Sequence, residues 1–314
     1  MEAIEQSLEG RKVIIFGCGY VGKAVAQKCL QLGAEVTGLT RNSEKAEALR
    51  KGGLSKVVIA DLNDPELASH LESSYDFALN CVSSGGGGLA NYRQSYLEGQ
   101  QSIATWAAKL PAPLQAFTYT SSTSVYPDSD GAWLSEADAN GEHSPRAAIL
   151  LESEQAALSV NAQRNTVLRL GGIYGPGRHY MLDMLRSNPG QPLYGSGETY
   201  LNSIHLDDIV SAILASWKNV GPPLAERHET KAIYNVVDNE PAQRKTIATW
   251  LAERYQLPAP IFEPDKPSPR MAKRGIQNGP SKAPNRRISN ASIKQALEWQ
   301  PQYESFREGY ASLI

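Results

Sequence analysis

The chain is poor in cysteine. Cys18, Cys29 and Cys81 are the only three in 314 residues, and none pairs with another at a C-x-x-C spacing. An odd, scattered set of this kind excludes a disulfide framework and a structural zinc site, and it suits a reducing compartment, so a cytoplasmic location is expected. Charge of one sign is lacking too. The formal net charge is -2, which gives no reason to expect nucleic acid or an anionic membrane as a partner. No apolar run reaches the length of a membrane span, and the polar opening MEAIEQSLEGRK does not read as a secretory signal. Internal repeats are absent. What remains is ordinary for a globular protein with a sizeable core: 41% hydrophobic and 20% charged residues.

Strand and helix patterns alternate along the first two thirds of the chain. The spacing predicts strands at 12–16, 34–39, 56–60, 76–82, 115–120 and 165–170. Helices are expected at 21–32, 43–51, 64–72, 91–109 and 147–161. Such alternation implies right-handed βαβ units and a parallel sheet covered on both faces. A further helix at 205–218 and a strand at 232–237 read as returns to that sheet. Residues 256–285 are rich in proline and basic residues and read as a long loop. The fold class is therefore α/β: a Rossmann doubly wound parallel sheet with a smaller C-terminal substrate lobe. Residues 1–171, with 203–220 and 231–238, form the first unit; 172–202 and 239–314 form the lobe.

Between the first strand and helix stands Gly17-Cys18-Gly19-Tyr20-Val21-Gly22. In a G-x-G-x-x-G turn the first glycine permits a tight bend and the second lets backbone approach a pyrophosphate. The third lets helix and strand pack closely. A carboxylate at the tip of the second strand, about twenty residues on, would accept a bond from the ribose 2′-hydroxyl of NAD. Here the tip reads Thr40-Arg41-Asn42-Ser43, with no acid. Arginine pairs with a 2′-phosphate, so NADP is the preferred cofactor and NAD the alternative. Asp61 and Leu62 close the third strand near the expected adenine, Asp61 being as readily a helix N-cap, and Ser83 follows the fourth. The Gly85–Gly88 run reads as a pliant loop beside them.

Five segments in order resemble the extended and atypical short-chain dehydrogenase/reductases, the NAD-dependent epimerase/dehydratase group. They are GCGYVG at 17–22, TYTSSTSVY at 118–126, LRLGGIYGPGR at 168–178, NSIHLDDIVSAI at 202–213 and YNVVDNEP at 234–241. The C-terminal run NRRISNASIKQALEWQPQYESFREGY at 285–310 extends the resemblance over nearly the whole chain. It implies a small-molecule substrate, a nucleotide-sugar or other polar hydroxyl or carbonyl compound, and a possible homodimer. It also implies that Ser122, with Ser124 two positions on, contacts the reacting oxygen. Arg178, His205 and Arg286 are the implied substrate-side residues, His205 being as readily a structural histidine. Asp207 and Asp208 match the same motif as His205 and also suit helix N-caps. The basic residues Lys273, Arg274, Lys282 and Arg287 accompany Arg286. No metal site is read.

One part of the pattern is missing. The resemblance calls for Tyr-x-x-x-Lys on the helix after the fifth strand, Tyr near 145 or 146 and Lys near 149 or 150. Residues 135–165 hold neither residue type. Without a phenol of lowered pKa the usual proton transfer has no evident agent. His143 and Arg146 stand nearby, each with an ordinary structural reading. Two functions therefore stand side by side. One is an NADP-linked epimerase/dehydratase or oxidoreductase of the atypical kind. The other is a non-catalytic NADP-binding redox sensor or assembly factor.

Overall fold

The computed structural model describes residues 8–141, 143–218, 230–266 and 284–313. Its centre is a seven-stranded sheet in which every pairing is parallel. The strands are β1 Lys12–Phe16, β2 Glu35–Thr40, β3 Lys56–Ile59, β4 Phe77–Asn80, β5 Leu114–Ser122, β6 Ala162–Leu170 and β7 Lys231–Val236. They lie in the order β3-β2-β1-β4-β5-β6-β7. Strand order reverses between β1 and β4, and such a reversal opens a crevice at the carboxyl ends of the strands. β1 and β4 are almost wholly buried, which explains the unbroken apolar runs Val13–Phe16 and Phe77–Leu79 in place of alternation.

Helices cover both faces. α1 (Tyr20–Gln31) buries Val21, Val25, Ala26 and Cys29 and stops at Gly33, which takes a φ of +79° just past the C-cap Leu32. α2 (Ser43–Lys51) starts at Asn42, whose side chain accepts from the Lys45 N–H at 2.8 Å. α3 (Gly99–Ala107) and α4 (Pro145–Leu158) pack on the other face with Ile103, Trp106 and Ala157. The single helix expected at 91–109 is present from 89 to 107, with a π turn at 94–98 inserted between Leu89–Arg93 and α3. The helix expected at 64–72 shrinks to Leu67–His70, because Asp61 and Asp64 spend their carboxylates on turns of their own.

A second, smaller core lies beyond the sheet. It joins α5 (Tyr180–Ser187), α7 (Arg244–Arg254) and α9 (Phe306–Ala311) through Leu182, Leu185, Ile247, Leu251, Phe306 and Tyr310. α6 (Leu206–Ser216) packs instead with α1 and the sheet, and α8 (Ala291–Leu297) lies beside β7. Residues 256–285 are not loop throughout: Phe262–Glu263 pairs in parallel with Leu193–Tyr194. Lys273, Arg274 and Lys282 lie outside the described residues, as do residues 1–7, which carry most of the polar opening. No helix among the described residues is long and apolar enough to cross a membrane.

Candidate functional site

The crevice between β1 and β4 holds a cavity of about 450 Å³ lined by Gly17, Gly19, Arg41, Asp61, Leu62 and Ser83, among others. These six come from four separate loops at one edge of the sheet, brought together by the strand order. The glycine-rich turn has the geometry its spacing demands. Gly17 takes a φ of +91°, and a side chain there would meet Val82. Gly22 packs against the Gly17 carbonyl and Cys81 Sγ. A Cβ on Gly19 would meet nothing within 4 Å, so open space lies above that residue. Gly19 is the N-cap of α1 and offers no side chain, so the first-turn N–H groups of Tyr20, Val21 and Gly22 face outward without an intrahelical acceptor. An anion over Gly19 would meet these donors and the positive end of the helix dipole. The Val21 side chain itself is buried in the core, so only its main chain is available there.

Arg41 reaches across the cavity. Its Nη1 lies 3.3 Å from Asp61 Oδ2, and its Nη2 is 3.7 Å from where a Cβ on Gly85 would stand. Asp61 is no helix cap: its Oδ1 accepts from the N–H and side-chain amide of Asn63. Lys45, Asn63, Gln94 and Ser95 also line the cavity. Sequence reasoning missed them. Lys45 had a signal, since it stands four residues past Arg41 on the helix that opens at the tip of β2. Gln94 and Ser95 reach the cavity through the π turn, which no local pattern announced.

Tyr20 joins this turn to the loop after β6. Its hydroxyl donates to the Pro176 carbonyl at 3.0 Å, and the Arg178 guanidinium sits 5.5 Å from its ring centroid. Gly175 and Arg178 close that loop by exchanging main-chain hydrogen bonds, and Arg178 is exposed. His205 takes the structural one of the two places its motif allows. It is 1% exposed and lies behind Gly175, wedged between the rings of Tyr174 and Tyr303, so it backs the loop without reaching the cleft. Burial pushes its pKa below the ordinary value, and the neutral ring accepts from the Asp207 N–H through Nδ1. His205, and neither aspartate, is thus the side-chain cap of α6. Asp208 instead accepts main-chain N–H bonds from Gln302 and Tyr303, tying the C-terminal segment to α6. Arg286 spends Nη1 on the carbonyls of Tyr126 and Pro127.

Ser122 ends β5, and its Oγ accepts from the Ser124 N–H at 3.1 Å. That bond uses a lone pair and leaves the O–H free to donate. Ser124 is exposed beside it. Ser121 points to the other face and donates to Glu154 at 2.6 Å. Glu154 and Arg169 form a buried two-point ion pair, with Nε–Oε1 at 3.0 Å and Nη2–Oε2 at 2.8 Å. On α4, the stretch where Tyr and Lys were sought carries Arg146, stacked 5.0 Å from the Tyr92 ring centroid, and the buried apolar pair Ile149 and Leu150. No group of three or more potential metal ligands occurs among the described residues.

Comparison with known proteins agrees with this architecture. A family model described as the NAD dependent epimerase/dehydratase family matches residues 13–236. Protein YeeZ of Escherichia coli K12 is 29% identical over 264 residues, covering 80% of this chain and 86% of YeeZ. A protein of unknown function from Silicibacter pomeroyi has a solved structure that is 27% identical, with a TM-score of 0.71 over 96% of this chain and 98% of that one. The fold is also shared with MoeE5, solved with UDP-glucose and NAD, at 19% identity and a TM-score of 0.75 over 96% of this chain and 97% of that one.

Proposed function

The chain belongs to the NAD-dependent epimerase/dehydratase family, and from that membership we propose that it binds NADP, in preference to NAD, in the cavity between β1 and β4. The observation that carries this reading is the cavity lining. Open space over Gly19 and unpaired N–H groups at the start of α1 suit a pyrophosphate, and two cations, Arg41 and Lys45, face a single carboxylate, Asp61. A 2′-phosphate needs cations at the tip of β2, whereas a 2′-hydroxyl needs an acid there, and none lines the cavity at that tip. When bound, such a cofactor supplies hydride exchange with an alcohol or ketone carbon.

On this reading the substrate is a nucleotide-sugar or another polar hydroxyl or carbonyl compound. Ser122 donates to its reacting oxygen, and Arg178 meets its anionic portion. The smaller core of α5, α7 and α9 belongs to the lobe that holds it, whereas α8 lies beside β7, with the unit that holds the dinucleotide. A non-catalytic dinucleotide sensor is the second reading. What favours it is the buried apolar pair Ile149 and Leu150 where a lysine would steady the ribose.

Calorimetric titration of the full chain with NADP⁺ and, separately, NAD⁺ tests the binding. Tight NADP⁺ binding that weakens by tenfold or more in Arg41→Ala is expected. Absence of binding to either dinucleotide would sink both readings. A hydride-exchange assay on polar carbonyl substrates then separates them: turnover abolished by Ser122→Ala supports the enzyme, and tight binding without turnover supports the sensor.

A further inference from the structure

The guanidinium of Arg41 lines the cavity in which the proposed cofactor lies. It starts at the tip of β2, meets Asp61 beyond β3 at 3.3 Å, and comes to rest beside Gly85 beyond β4. β3 and β4 are separated by β2 and β1, so the loop after β4 folds back over the carboxyl edge of the sheet to bring Gly85 to the guanidinium. Asp61 is the single carboxylate lining the cavity, and Arg41 is the cation it holds. Lys45 lines the same cavity one helical turn from Asn42, with its own N–H fixed by the Asn42 side chain.

Resting on the proposed dinucleotide site, we infer that Asp61 is a specificity-determining residue: an internal competitor that holds Arg41 until a 2′-phosphate takes it. A phosphate carries more charge than a carboxylate and offers three acceptor oxygens, so it can draw Arg41 from Asp61 while Lys45 supplies a second contact. A 2′-hydroxyl offers a neutral acceptor and leaves the pair intact. Competition of this kind tempers the preference for the 2′-phosphate, because only that group must break the pair to reach Arg41. The pair is half exposed, so the penalty it sets is small and a phosphate overcomes it.

The test uses two adenosine probes on the full chain: 5′-AMP and adenosine 2′,5′-bisphosphate, titrated into wild type, Asp61→Asn, Arg41→Ala and the double variant. The readout is the ratio of the two affinities, which cancels any contact Asp61 makes with the adenine in both complexes. Wild type is expected to prefer the bisphosphate. Asp61→Asn raises that preference about threefold, the worth of an exposed ion pair. Arg41→Ala lowers it by roughly tenfold or more. In the Arg41→Ala background, Asp61→Asn leaves the ratio unchanged, because the competition acts through Arg41. An unchanged or lowered ratio in Asp61→Asn overturns the inference while leaving dinucleotide binding in place. So does an equal rise in both backgrounds, which marks Asp61 as a simple repulsive charge. Failure of wild type to bind either probe overturns the cofactor reading itself, and this inference with it.

Discussion

A methyl group on Gly22 would press on the Gly17 carbonyl oxygen and stand 2.8 Å from Cys81 Sγ, whereas one on Gly19 would enter open space. Two glycines of one motif thus answer to different demands, one to packing and one to ligand approach. Gly22→Ala is expected to cost about 1–3 kcal/mol of stability through overpacking, read as a lowered midpoint in urea. Gly19→Ala meets no close neighbour, but the ψ of -146° at this position lies outside the ordinary β and α regions, so a cost of about 1 kcal/mol is expected. Its expected functional loss is dinucleotide affinity. If Gly19→Ala instead binds NADP⁺ as wild type does, no phosphate lies over that residue. Tyr20 adds a second check: Tyr20→Phe removes the bond to Pro176 and should cost about 1 kcal/mol by the same denaturation, without abolishing folding.

Between elements, two buried carboxylates serve as ties. Glu154 on α4 is fixed to Arg169 on β6 by two bonds, both residues being almost fully buried. Removing one partner strands the other charge, so Glu154→Ala is expected to cost about 3–5 kcal/mol in a chemical melt. Asp208 on α6 holds the segment at 302–303, and burial pushes its pKa from 3.8 up to about 6. A carboxyl whose folded pKa lies above its unfolded value binds protons more tightly when folded. Its stabilising contribution is complete below 3.8 and is lost as pH rises through about 6. Wild type should therefore gain of order 2–3 kcal/mol from this group between neutral pH and pH 4. Asp208→Asn should lack that component, so a stability–pH profile of unchanged slope in the variant counts against the assignment.

At the scale of the whole molecule, the three thiols report on the integrity of the fold. Cys18 and Cys29 are buried in the core, and burial pushes both thiols up to about 12; Cys81 beside the glycine-rich turn is also raised by burial. Thiolate, the reactive form, is scarce for all of them at neutral pH. A chromogenic disulfide reagent should label the folded protein slowly and all three thiols at once on unfolding. Rapid labelling of all three under native conditions would contradict this packing. Dinucleotide in the cavity is expected to slow the labelling of Cys81 further, because that residue lines it.

Much of this was legible without coordinates. Local apolar runs and glycine stops specify β1, α1, β2 and α2 to within about a residue, since each is set by neighbours along the chain. The glycine spacing and the bare tip of β2 point directly to Gly17, Gly19 and Arg41. Other features depend on contacts remote in sequence. The pairing of Arg41 with Asp61 arises because β2 and β3 end side by side. The motif around His205 fits a cleft residue as well as a structural one; the rings of Tyr174 and Tyr303, far apart in the chain, close around it behind Gly175. The π turn at 94–98 and the strand at Phe262–Glu263 likewise have no local pattern. Sequence alone determined the first strands and helices and the glycine-rich turn, because these follow from short-range periodicity and backbone sterics. Tertiary structure alone decided which charges face one another across the cavity and which polar groups are buried, because both depend on the order in which the strands assemble.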